Sequence, residues 1–164
     1  MTTQIEPVSP LALDIRLLFS QLTTMQRDWQ DEIGFGEEGH RLWHAHTMAP
    51  TFDASIDASA ALRNYYIAKL ALIGTEVAEA IEEIRDNHEI HETYYPTKGQ
   101  PDSPFEKGEA FGPFKPEGVP SELADIVIRC LSLAGETGID LGSAIIEKLN
   151  YNATRAQRHG GKAI

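Results

Sequence analysis

Residues 74–85 (GTEVAEAIEEIR) carry Glu76, Glu79, Glu82 and Glu83, and residues 121–125 (SELAD) add Glu122 and Asp125. At about 100° per residue on an α-helix, Glu76, Glu79 and Glu83 fall within roughly 60° of one another, while Glu82 points away. Glu122 and Asp125 repeat the spacing of Glu76 and Glu79. An ExxE helix facing an ExxD helix offers hard oxygen donors, which suit Mg²⁺ with Mn²⁺ as a substitute. The chemistry of such a set is metal-assisted phosphoryl transfer or hydrolysis. Each half alone is common on solvated helix faces; the pair is what points to a site.

The setting of the acids sharpens this reading. Ile73, Val77, Ala80 and Ile84 flank Glu76, so the acidic stripe borders the core side of its helix. The second helix is apolar almost all round (Leu123, Ile126, Val127, Ile128, Leu131, Leu133), and Asp125 one turn in is expected to be buried. A buried carboxylate must be paired, protonated or bound to metal. Arg129, one turn beyond, could pair with Asp125 or Glu83 in a purely structural arrangement. One arginine cannot neutralise four or five converging acids.

At these residues the sequence resembles the MazG-like all-α nucleoside triphosphate pyrophosphohydrolases. The resemblance rests on residues 69–85 (KLALIGTEVAEAIEEIR), 121–140 (SELADIVIRCLSLAGETGID) and 147–162 (EKLNYNATRAQRHGGK), with 27–35 (RDWQDEIGF) on a first helix. It covers most of the chain and implies cleavage of an NTP or dNTP between the α- and β-phosphates, giving the monophosphate and pyrophosphate. It also implies that Glu76, Glu79, Glu122 and Asp125 hold Mg²⁺, which would offset triphosphate charge and activate water. Glu83 is placed by helical spacing to help deprotonate that water. Lys148, Asn152 and Arg155 follow at i, i+4 and i+7, a face suited to phosphate oxygens or simply to balancing the helix end. Arg158, His159 and Lys162 either close over the substrate or form a solvated tail. The stretch between Glu79 and Glu122 is longer than the usual connection in this family and leaves base specificity open.

The elements that must position these groups read as all-α: four main helices, most simply a four-helix-type bundle. Residues 11–33 carry Leu11, Ile15, Leu18, Leu22, Met25 and Trp29 at helical spacing, ended by Gly34 and Gly36. Trp29 is either a core residue or a platform for a base. Residues 36–56 read as a loop with a short helical piece, and Asp57 or Ser59 is expected to cap a second helix reaching about residue 90. Tyr65, Tyr66 and Asn64 on it suit packing or a base pocket. Residues 93–120 hold most of the prolines and read as a long loop without a strand pattern. Ser121 is the expected cap of the third helix and Asp140 of the fourth, residues 141–157.

Composition bounds the function. The 164 residues suit a single domain over 1–164, with residues 1–10 as a leader and 158–164 as a basic tail. A net charge of -11 argues against a general nucleic-acid or anionic-membrane binder. No apolar run is long enough to span a membrane, and the start lacks a signal-peptide pattern. A cytoplasmic location and a reduced, buried Cys130 are expected. His40, His44 and His46 form a weak zinc pattern without cysteines. A di-iron bundle would need Glu-x-x-His on inward faces, and only Glu37 and His40 come close. A non-catalytic helical binding protein is the other rival. Apolar area beyond the needs of one small bundle points to a homodimer or homotetramer.

Overall fold

The computed structural model describes residues 10–96 and 115–153 and is all-helical there, apart from one isolated β-bridge. Helix α1 (Pro10–Glu32) opens on a proline, whose fixed φ and missing N–H suit a first helical turn. It closes at Gly34, with φ +74°, where Phe35 N–H bonds Gln30 O at 2.9 Å and Gly34 N–H bonds Asp31 O at 3.3 Å. That pair of bonds is the left-handed stop glycine makes at least cost.

Residues 36–56 hold more helix than the sequence suggests. Helix α2 (Glu37–Thr47) has Glu37 and Glu38 in its first turn and His44 and His46 in its last, matching the helix dipole. Arg41 grips Glu38 through two bonds of 2.8 and 2.7 Å. Helix α3 (Phe52–Arg85) then starts before Asp57, because Thr51 is the cap: its Oγ1 accepts Ala54 N–H at 3.2 Å. It ends short of residue 90 because Asn87 adopts φ +67°, with His88 N–H on Glu83 O and Asn87 N–H on Ile84 O. Asparagine tolerates this left-handed position better than most residues.

Helix α4 (Val119–Thr137) begins ahead of the expected cap. Ser121 lies inside it, its hydroxyl donating to Pro116 O at 3.0 Å. Gly118, with φ +105°, makes this entry: a Cβ there would sit 2.4 Å from Glu92 O. Tyr94 and Glu117 exchange backbone bonds of 3.1 and 2.9 Å, so the two ends of the 93–120 segment are clasped together. Helix α5 (Leu141–Ala153) is capped by Asp140 as expected, through Ser143 N–H at 2.9 Å and the Ser143 hydroxyl at 2.6 Å.

The chain resolves into two compact units. The first takes residues up to Ala58 and from Leu131 onward. There α1 packs on α5 and on the end of α4, with Ala12, Leu131 and Ala134 buried and Gln30 donating to Ser132 at 2.6 Å. Close approach needs glycine: a Cβ on Gly142 would stand 2.9 Å from Arg16 Cα. The second unit, Ser59–Cys130, holds most of α3 and the first part of α4, with Leu62 and Val119 buried. Ile73 and Ala80 are half-buried there, but Val77 and Ile84 are exposed, so only part of the expected apolar stripe turns inward. Cys130 is half-buried and free.

Candidate metal centre

The second unit brings three of the four expected ligands together. Glu76 and Glu79 on α3 and Glu122 on α4 each offer a carboxylate oxygen, all within 4.8 Å of one another. Glu76 and Glu122 are both only 3% exposed, whereas Glu79 opens to solvent. A second set, Glu83, Glu117 and Glu122, meets the same distance. Glu122 therefore belongs to both sets. Among the described residues, no metal-capable group of three includes a histidine.

The buried acid at the centre is Glu122 rather than Asp125. Asp125 is half-buried and stands outside the 4.8 Å sets, though its charge still acts on Glu122. Sequence spacing put Asp125 deepest because its helix looked apolar all round. In the fold the inward face of α4 runs through Glu122, Ile126 and Arg129, and Leu123, Val127 and Ile128 are exposed. Burial pushes the Glu122 carboxyl up to about 7, and the neighbouring charges of Glu79, Glu76 and Asp125 push the same way. Lys115 opposes them.

Arg129 does pair with an acid, but with Glu76 instead of Asp125 or Glu83. Its Nε donates to Glu76 Oε1 at 2.5 Å, and an Nη atom contacts the same oxygen. Both contacts use one carboxylate oxygen, so the pairing is not the two-oxygen fork that arginine can make.

Around Glu83 lies a group that the sequence did not single out. Tyr94 donates its hydroxyl to the Glu83 carboxylate at 3.2–3.3 Å, and burial beside Glu83 raises the phenol above its ordinary pKa. His88 stacks on the Tyr94 ring at 4.4 Å and 6°, and its Nδ1 lies 3.1 Å from Glu92. His88 is thus half-buried and packed against this group. Lys115 bonds Glu117 at 2.8 Å, a contact that raises the lysine pKa. Glu117 and Tyr94 come from opposite ends of the long segment and meet only through the β-bridge. No periodicity marks them; the one sequence cue is Gly118, a hinge beside an acid.

The remaining expected contacts belong to the first unit. Trp29 and Lys148 are exposed, with Lys148 Nζ 5.4 Å from the Tyr151 ring centre, and Asn152 is exposed on the last turn of α5. Arg155, Arg158, His159 and Lys162 lie outside the described residues, as do residues 1–9 and 97–114.

An all-carboxylate donor set with one exposed member fits a hard divalent ion that keeps part of its water shell. Arg129 on Glu76 and Lys115 on Glu117 already bring positive charge beside these acids. No helix among the described residues is long and apolar enough to cross a membrane. Comparison with protein-family models, with curated proteins and with solved structures finds no match, so the likeness to the pyrophosphohydrolases rests on the motif residues themselves.

Proposed function

We propose that the protein is a Mg²⁺-dependent hydrolase of nucleoside or deoxynucleoside triphosphates. It cleaves between the α- and β-phosphates on a helical bundle of the MazG-like kind, in the cytoplasm. The observation that carries this reading is the cluster of Glu76, Glu79 and Glu122 around one point, with two of its members buried. Mg²⁺, or Mn²⁺ in its place, would supply triphosphate charge neutralisation and water activation there. Glu79 leaves one side of the cluster open, where phosphate oxygens can arrive. Glu83, oriented by the Tyr94 hydroxyl, accepts a proton from the attacking water. Asp125 steadies the cation through its charge.

The test is incubation with each NTP and dNTP in the presence of Mg²⁺, measuring pyrophosphate. Release of pyrophosphate with the matching monophosphate is expected, and Glu79→Gln should abolish it. No pyrophosphate from any nucleotide would sink the reading. One observation favours a second reading, a helical binding protein without catalysis: Arg129 already pairs with Glu76 in the manner of a structural ion pair. On that reading Mg²⁺ does not bind, and titration calorimetry with Mg²⁺ alone separates the two.

A further inference from the structure

The second set of carboxylates is better enclosed than the first, and its members come from three different places in the chain. Glu83 lies in the last turn of α3, Glu117 in the β-bridge and Glu122 in the first turn of α4. One oxygen of each stands within 4.8 Å of the other two. Glu122 is buried and Glu83 and Glu117 are half-buried, whereas the first set has Glu79 open to solvent. Glu122 is the telling member. It is 3% exposed, yet among the described residues no hydrogen bond or ion pair reaches its carboxylate. A buried carboxylate left without a partner is costly in any fold and calls for a proton or a cation.

We propose that a divalent cation binds between Glu83, Glu117 and Glu122 and fastens the Tyr94–Glu117 bridge, at a site that shares only Glu122 with the Glu76 and Glu79 cluster. Three oxygens no more than 4.8 Å apart have a common centre at most about 2.8 Å from each, so shifts of a few tenths of an ångström reach Ca²⁺–O bond lengths, and slightly larger ones those of Mg²⁺. Donors that are all carboxylate favour Mg²⁺, Ca²⁺ or Mn²⁺ over softer metals. Glu122 has two oxygens and can serve both sets at once. The Tyr94 hydroxyl on Glu83 steadies that carboxylate as outer partners steady metal ligands. Lys115 holds Glu117 at 2.8 Å, but its side chain is 67% exposed, a surface pair that a divalent ion can displace.

Charge supports a second ion beside the first. When ionised, Glu76, Glu79, Glu83, Glu117, Glu122 and Asp125 are answered only by Arg129 and Lys115. One divalent ion at Glu76 and Glu79 still leaves two negative charges over, and a second cancels them. The new site does not rest on catalysis, because its ligands hold the ion whether or not a nucleotide is cleaved. It joins the end of α3 to the start of α4 through the bridge, so the bridge opens only once the ion has left. The ion also makes Glu83 a ligand, and on the hydrolase reading above its binding slows the reaction.

The experiment uses the full chain, stripped with EDTA and titrated with Mn²⁺ under electron paramagnetic resonance. Two Mn²⁺ per chain are expected. Glu117→Gln should weaken one of them about tenfold or more, and Glu79→Gln should weaken the other instead, so the two sites fail separately. Lys115→Met, which frees Glu117 of its rival partner, should tighten the site that Glu117→Gln weakens. Hydrogen exchange at the Tyr94 and Glu117 amides reads the bridge itself. With free Mg²⁺ at ten times its dissociation constant, that exchange should slow about tenfold, in wild type and Glu79→Gln but not in Glu117→Gln. Identical Mn²⁺ binding by wild type and Glu117→Gln, as follows if Glu122 merely keeps a proton, would overturn the site. Exchange at the bridge that ignores Mg²⁺ would overturn the fastening.

Discussion

Replacing Glu122 by glutamine should stabilise the metal-free protein above neutral pH. The Glu122 carboxyl is held at about 7 in the fold, against an ordinary value of 4.5. Between those two values the folded chain keeps a proton that the unfolded chain gives up. Stability therefore falls as pH rises through this window, and it is fully lost by Glu122 only above 7. The raised value corresponds to at most about 3 kcal/mol, at 1.36 kcal/mol per unit. Glu122→Gln keeps the shape and removes the charge, so it recovers up to that amount at pH 8. It gains almost nothing at pH 4.5, where wild type is protonated too. For a chain of this length the recovery is on the order of 5–10 °C in Tm. Thermal unfolding followed by circular dichroism at both pH values, in EDTA and in Mg²⁺, measures it. In Mg²⁺ the order should reverse, since wild type gains a ligand-bound state that the variant lacks. Equal shifts at both pH values, or a less stable variant at pH 8 in EDTA, would refute the reasoning.

Three further outcomes follow from the same contacts. Arg129→Met leaves Glu76 buried without its partner and should cost about 3 kcal/mol in EDTA, part of it restored by Mg²⁺; denaturant titration with and without the ion reads both. Gly118→Ala forces a Cβ towards Glu92 O at a left-handed backbone position and should cost at least about 2 kcal/mol, measured by urea unfolding. Asp140→Ala removes the α5 cap and should cost about 1 kcal/mol, with earlier hydrogen exchange confined to the first turn of α5.

Where one residue type meets one local rule, the sequence is easily read. That α1 is a helix, its glycine stop, and Asp140 ahead of α5 needed no tertiary context, but which face of α1 is buried did: Ala12 and Gln30 are buried while Leu11, Leu18, Met25 and Trp29 are exposed. Elements with several competing local candidates were harder. Thr51, Asp57 and Ser59 can each cap a helix, and only the fold shows that Thr51 does so. Asn87 ends α3 through a backbone state that its neighbours do not advertise. The acidic cluster was legible because its spacing repeats on two helices, yet its depth was not. Whether Glu122 or Asp125 lies deepest depends on how α4 is rotated against α3, and a helix apolar on most sides gives no sign of that rotation. Arg129 reached Glu76 for the same reason. Glu117 and Tyr94 joined Glu83 only through a pairing that spans the long segment, a contact set by chain closure and invisible to local pattern.

The Tyr94–Glu117 clasp has a consequence for how this chain can change. By fixing both ends of the intervening segment beside the acids, it separates the length of that segment from the geometry of the glutamates. Lengthening a closed loop is thermodynamically mild, about 0.6 kcal/mol for each doubling. Insertions, deletions or a whole grafted peptide between residues 97 and 114 can therefore be tried without redesigning the helices. The pairing of Tyr94 with Glu117 would keep the same glutamates beside one another while the sequence between those two residues varies.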